Sequence, residues 1–312
     1  MVITDEIRDA CAWVAGRATS VRIDHPQIAA YAHSLQLAEA LTPPGLAAPQ
    51  TTAAEREVAA SFWLTLDAIN FGSGWFPTLR KRTEPTGYRT IAAGVRRRFD
   101  EQGAWSASEL ADLEMHELAM VLDQDPDHEL VQLFVSSLRD LGRHLTDDCG
   151  GSFTALVDQA QGSAVALVAR LAAWDSFADL SAYEGRSVPF LKRAQIAAAD
   201  LSRAGVARFN DMEELTMFAD NLVPHVLWLD GVLHFEPELV ARIERGELIG
   251  HDSTEEVEIR ACAVHAVELI VAAARQAGAA VTAAQIDETL WNRGQRNDYK
   301  SVPRHRSRTT AY

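Results

Sequence analysis

Cysteine is scarce: Cys11, Cys149 and Cys262 are the three in 312 residues. They stand far apart, with neither the pairing of a disulfide framework nor the spacing of a metal site, so reduced thiols are expected. Long apolar runs are also missing. The most apolar late stretch, LIVAAA at Leu269–Ala274, is too short to cross a bilayer, and the acidic start MVITDEIRDA lacks the apolar segment of a signal peptide. A soluble, cytoplasmic protein that does not engage membranes is the expectation.

Positive charge is in deficit, with 29 Lys and Arg against 44 Asp and Glu and a formal net charge of -15. This balance argues against stable binding of a nucleic acid through its phosphate backbone, but leaves room for a small anion in a local basic pocket. Strong sequence signatures are absent as well: no HExxH, P-loop, GxSxG or complete GxGxxG, of which GSGWFP is only the start. His116–Glu117 and His128–Glu129 lack a second histidine at metal spacing and read as solvated helix faces. Neither a metal nor a cofactor is expected. No fixed-period repeat is visible.

What the chain does have is helical periodicity. Apolar spacing predicts helices over 5–17, 25–41 and 55–69, the second stopped by PPG at Pro43–Gly45. Ser106 with Glu109 forms a capping box, and Asp125–Pro126 opens a helix through Leu145. DDCGG at 147–151 reads as a loop and the best internal boundary of one domain spanning 1–312. A long helix is predicted from 152 to 174. Ser253 with Glu256 opens another that ends near Gly278, and Thr282 with Gln285 opens the next. VLWL and VLHF around Asp230–Gly231 suit one small hairpin. The fold class is all-α.

Candidate chemistry concentrates between Pro189 and Phe235. Asp211 followed by Glu214 resembles a capping box and predicts a short helix over 212–219. Asp220 then sits at its C-terminal end, where the macrodipole disfavours a carboxylate, and Pro224 blocks continuation. Such a local violation marks a functional site, and burial with the dipole would suit the residue to acid–base work. The competing reading is an aspartate that caps the next segment. Upstream, Lys192 and Gln195 share a helix face, as do Arg193 and Asp200; they present cations to an anion or form a surface ion pair.

The run Glu256–Ile270 is apolar nearly all round, which predicts a buried helix. Glu258, Arg260, His265 and Glu268 then need partners, from a structural network or, for Glu258 or Arg260, from a ligand. The loop Asn70–Pro77 carries Phe71, Trp75 and Phe76, which either stack on a flat base or plug the core. The tail Tyr299–Tyr312 is basic, with Lys300, Arg304, His305, Arg306 and Arg308. It is either disordered or, when docked, a source of donors for a phosphate.

Four stretches in order, KRAQIAAADL, LTMFADNLVPHVL, EVEIRACAVHAVELI and the closing W…Y-x-x-x-P-x-H-R-x-R-T, resemble the queuosine salvage protein family. NFGSGWFP looks like that family's Asn-Phe aromatic loop. The resemblance covers most of the chain and is strongest from 152 onwards. Asn221, Leu222 and His225 depart from the Tyr-Arg and Gln that eukaryotic members more often carry there.

The resemblance implies a fold like that of helical DNA glycosylases. It also implies hydrolysis of the N-glycosidic bond of queuosine 5′-monophosphate, releasing queuine and ribose 5-phosphate. Asp220 corresponds to the catalytic carboxylate and Lys192 to an active-site cation. Asn70, Phe71, Trp75, Arg193, Glu258, Arg260, Lys300, His305, Arg306 and Tyr312 are the substrate-contact candidates. Glu258 is suited to the N–H donors of a guanine-like edge, Lys192 and the tail to the phosphate. Two other classes stay open: a glycosylase acting on a base in polynucleotide, which the net charge disfavours, and a helical interaction protein without catalysis.

Overall fold

The computed structural model describes residues 2–35, 52–81 and 86–312. In chain order the elements are α1 (Ile3–Ala15), β1 (Val21–Ile23), α2 (His25–Ser34), α3 (Ala53–Ala68), α4 (Gly87–Gln102), α5 (Ala107–Ala111), α6 (Met115–Leu122), α7 (Glu129–Cys149), α8 (Phe153–Gln159) and α9 (Ala164–Ala172). Then follow β2 (Leu180–Tyr183), β3 (Arg186–Pro189), α10 (Lys192–Arg203), α11 (Leu222–Leu229), β4 (Leu233–Phe235), α12 (Pro237–Glu244), α13 (Thr254–Gln276), α14 (Ala283–Gly294) and α15 (Asn297–Lys300). The fold is all-α, relieved among the described residues by two small antiparallel two-stranded sheets.

The chain packs as two units, each assembled from separated stretches. The first contains the described residues of 1–44, 179–192 and 211–308. Its axis is α13, against which α1, α2, α11, α14 and β1 pack. That helix is apolar nearly all round, and Val257, Ile259, Ala263, Val264, Val267 and Ile270 are all buried. Strand β1 pairs with β4, Val21 facing Phe235. Strands β2 and β3 form a hairpin whose two turn residues, Glu184 and Gly185, have φ of 46° and 77°. Two consecutive left-handed residues are the mark of a turn whose twist matches that of the strands.

The second unit contains the described residues of 45–178, 193–210 and 309–312. Its spine is α7, which buries Leu130, Phe134, Leu138, Leu141 and Leu145 and packs on α3, α5, α6 and α8. The predicted boundary at 147–151 falls inside this unit: α7 runs through Cys149, and Gly150 and Gly151 turn the chain at φ of 60° and 82°.

Several local expectations are corrected. VLWL belongs to α11 and VLHF to β4, whose partner is β1, so Asp230–Gly231 is a helix end rather than a hairpin turn. The helix predicted over 152–174 is broken into α8 and α9, with left-handed Gln161 and Gly162 (φ 51° and 78°) between them. The helix opened by Asp125–Pro126 starts instead at Glu129, where the His128 ring accepts the Leu130 N–H at 3.1 Å. Met212–Glu214 is only a 3₁₀ turn, and the chain from 215 to 220 is irregular. The end of the 25–41 helix and its PPG stop lie outside the described residues. The capping boxes at Ser106 and Thr282 and the Ser253 cap are present as read.

Gly142 shows how closely the second unit is packed. A Cβ placed there would lie 2.3 Å from the Ala111 nitrogen and 2.5 Å from the Ala107 carbonyl oxygen, both rigid backbone. Gly142→Ala is expected to destabilise by about 1–3 kcal/mol through overpacking, outweighing the better helix propensity of alanine. Urea unfolding of the variant checks this; unchanged stability would mean that α5 and α7 do not approach so closely.

Candidate active site

The first unit gathers ionisable side chains around Arg260. This residue is fully buried on α13 and makes a two-pronged pair with Asp179, Nη1 to Oδ1 at 3.0 Å and Nη2 to Oδ2 at 2.7 Å. Its Nε donates to the Ala219 carbonyl at 3.0 Å, and its Cζ lies 3.9 Å from the centre of the Phe190 ring. Glu256, one helical turn back, stands 3.7 Å from Nη1. A buried guanidinium is tolerable only when its donors are met, and here two acids and a carbonyl meet it.

Each of these partners fixes a neighbour. The Asp179 carboxylate also accepts the backbone N–H of Lys192 at 3.0 Å, and its carbonyl accepts that of Phe190 at 3.0 Å. Between them Leu191 is held at φ 53°, a left-handed conformation that costs a non-glycine residue on the order of 1 kcal/mol or more. Lys192 therefore begins α10 in an imposed position and is 5% exposed. On the other side, Ala219 is followed directly by Asp220. A three-residue turn closes there, the Asp220 N–H reaching the Phe218 carbonyl at 2.6 Å.

Asp220 is half-buried. Its Oδ1 accepts the N–H groups of Leu222 and Val223 at 2.8 and 3.1 Å, so it caps the start of α11. The sequence placed it at the end of a helix; it stands at the beginning of one, the end at which the macrodipole favours a carboxylate. Pro224 fits within that first turn because its missing N–H would have had no helical partner. The capping reading is thus correct for one oxygen. Oδ2 makes no hydrogen bond among the described residues.

Asp287 on α14 was not anticipated. It is 6% exposed, and Oδ1 accepts the Phe218 N–H at 3.0 Å. Burial, then the negative charge of Asp220, push its carboxyl well above the usual carboxylate range, against the Phe218 N–H and the Lys192 cation. Arg304 adds a half-buried guanidinium within electrostatic reach of Asp220. The tail that carries it is ordered and extended: His305, Ser307, Thr309 and Ala311 are buried while Arg304, Arg306, Arg308 and Thr310 are not. Asn221 holds it by donating to the His305 carbonyl at 3.1 Å, and His225 faces the Tyr299 carbonyl at 3.0 Å. Asp230 gathers Tyr31, Tyr299 and Arg293 at 2.5, 2.5 and 2.7 Å, fixing where the tail begins.

The remaining candidates divide by role. Glu258 is fully committed: Thr19, Ser20 and Val21 donate their backbone N–H groups and Tyr183 its hydroxyl, at 2.6–3.2 Å. It builds the turn before β1 and has no lone pair to spare for a base edge. His305 is buried, and burial lowers its pKa to about 3, so it is neutral and no phosphate cation. Arg306 donates to the Gly246 carbonyl at 3.0 Å, and Lys300 is exposed on α15.

Asn70, Phe71, Trp75, Arg193 and Tyr312 belong to the second unit. Phe71 meets Phe134 edge-on at 4.9 Å, and the Trp75 indole donates to Glu129 at 2.7 Å, so the aromatic loop plugs the core there. Arg193 is 2% exposed, donates to the Ala68 carbonyl at 2.5 Å and to the Ser176 carbonyl, and stacks over Phe71. Asp200 is also buried and pairs with Arg203 at 2.5 Å, so neither Arg193 nor Asp200 lies on the surface. The Tyr312 carbonyl accepts the Gly72 N–H at 2.9 Å. Among the described residues one group has metal-ligating side chains in reach of each other, His251, Asp252 and Glu256. Glu256 there already faces the Arg260 guanidinium.

Removing the central cation exposes the design. Arg260→Met would leave Asp179 and Glu256 buried without a counter-charge, and a loss of roughly 3–5 kcal/mol is expected. Thermal and urea unfolding check it, with Arg260→Met/Asp179→Leu expected to recover part of the loss. A single variant as stable as wild type would mean that Arg260 organises nothing.

Among the described residues no helix is long and apolar enough to cross a membrane. The chain is 37% identical over 309 residues to a Sphaerobacter thermophilus protein named queuosine 5′-phosphate N-glycosylase/hydrolase, covering 96% of this chain and 95% of that one. Proteins of the same name from Bos taurus and Schizosaccharomyces pombe are each 31% identical, covering 82% of both chains and 74% and 70% respectively. The profile of the queuosine salvage protein family matches residues 49–312. The chain belongs to the queuosine salvage protein family.

Proposed function

We infer that the chain hydrolyses the N-glycosidic bond of queuosine 5′-phosphate, freeing the base queuine and ribose 5-phosphate. The observation that carries this is the Asp220 carboxylate, clamped by one oxygen at a helix start with the other unengaged among the described residues, in a chain of this family. As the bond from the anomeric carbon to the base lengthens, positive charge grows on the sugar ring. An aspartate beside that carbon stabilises it and takes a proton from the attacking water. Because its position is set in advance by the α11 start and by Arg260 holding Ala219, little reorganisation is needed as the charge develops.

Lys192 supplies a nearly buried cation within electrostatic reach of Asp287, and Arg304, within reach of Asp220, is the tail group best placed for the 5′-phosphate. Arg304 takes over the phosphate role for which His305 is unsuited. The acidic net charge supports a free nucleotide as substrate in place of a polynucleotide, without stable nucleic-acid binding, and three scattered cysteines suit a cytoplasmic location.

Incubation of the purified protein with queuosine 5′-phosphate is expected to release queuine and ribose 5-phosphate in equal amounts, read by chromatography. Asp220→Asn keeps a capping side chain, so folding is expected to survive, while turnover drops at least about a hundredfold. Intact substrate with the wild-type protein overturns the activity; a variant within a fewfold of wild type overturns the role of Asp220.

A further inference from the structure

We propose that Asp287 is a second catalytic residue, the general acid that hands a proton to the departing base while Asp220 serves the sugar and the water. The proposal rests on the hydrolase reading above and divides its chemistry between two carboxyls.

The geometry is asymmetric. Asp287 is 6% exposed, and the Phe218 N–H is its one hydrogen bond among the described residues. A carboxylate that deeply placed with a single neutral donor is poorly compensated. A carboxylic acid fits the same place: Oδ1 accepts from Phe218 and Oδ2 carries a proton to give. The three-residue turn from Phe218 to Asp220 brings this carboxyl beside the one that caps α11. Asp220 is surrounded differently: two N–H donors at a helix start and the Arg304 guanidinium nearby. The charged groups facing Asp287 are Asp220, Lys192 and Glu288, two negative against one positive, in addition to the burial that holds its proton. Two neighbouring carboxyls in such unlike surroundings suit an acid and a base.

The substrate class requires such an acid. A 7-deazapurine has carbon where an ordinary purine has the imidazole nitrogen that is protonated to expel the base, so the proton must arrive at another nitrogen. In the step proposed, the Asp287 O–H proton passes to a nitrogen of the base as the electron pair of the glycosidic bond leaves with it. Water then bonds to the anomeric carbon and gives its proton to Asp220. Transfer of that proton back to Asp287 through solvent restores both groups, and one water is consumed overall.

The test compares queuosine 5′-phosphate with a ribose 5-phosphate bearing a p-nitrophenyl group, whose departure needs no proton. Asp287→Asn preserves the acceptor for Phe218. It is expected to lose about a hundredfold or more in kcat on the nucleotide but only a fewfold on the activated substrate. Asp220→Asn is expected to lose on both. Equal losses on the two substrates for Asp287→Asn, or none, overturn the acid role and leave the hydrolase reading intact; no turnover of either substrate by the wild type overturns that reading itself. Should Asp287→Asn fail to fold, the wild-type pH profiles decide. An alkaline fall in kcat seen with the nucleotide and absent with the activated substrate supports the acid, and identical profiles contradict it.

Discussion

One guanidinium sets the positions of the groups proposed for catalysis. Arg260 is placed by a deeply buried helix, where an unmet charge would be prohibitive, and it is met by Asp179, Ala219 and Glu256. Asp179 in turn takes the Lys192 N–H, and Ala219 precedes Asp220. The flat fork of arginine suits this, since it engages a carboxylate with two parallel bonds and still has Nε for a carbonyl in another direction; lysine offers one point of charge. The strain at Leu191 is held by the same clamp. Positions fixed in this way before substrate arrives are the structural form of electrostatic preorganisation.

Around that clamp the carboxyls diverge because their surroundings do. Asp220 looks at a helix start and Arg304, Asp287 from a buried position at a single amide, two acids and Lys192, and Glu258 at four donors that consume it. Identical functional groups are thus proposed for three roles: a carboxylate facing the sugar, a proton donor and a structural anchor. The tail follows the same economy of side chains. Its alternation turns His305 inward and Arg304 out, so a basic segment delivers guanidinium and buries the imidazole in neutral form.

Much of this fold was legible in the sequence because helices announce themselves locally. The periodicity of α7 and α13 and the boxes at Ser106 and Thr282 need only neighbours within a few residues. The β2–β3 hairpin escaped because its signal is two residues, Glu184–Gly185, between short strands. Asp211 and Glu214 misled because a box-like pair opens a helix only when the residues beyond it keep the pattern, and LTMFAD packs as irregular chain instead.

The site was less legible for a different reason. Asp287 meets Phe218 across 69 positions and Asp179 meets Arg260 across 81, distances over which no pattern in one sequence speaks. The all-round apolar helix did indicate that Glu258 and Arg260 are buried and need partners; which partners was a matter of tertiary structure. Arg193 and the aromatic loop carried family signals, and each is tied into the core of its own unit.

A crystal structure of the Asp220→Asn protein with queuosine 5′-phosphate bound tests the central claim most directly. The anomeric carbon is expected about 3–3.5 Å from the residue 220 side chain, with a base nitrogen within hydrogen-bond reach of Asp287 and Arg304 on the phosphate. A nucleotide bound with its sugar away from residue 220 and Asp287 would contradict it.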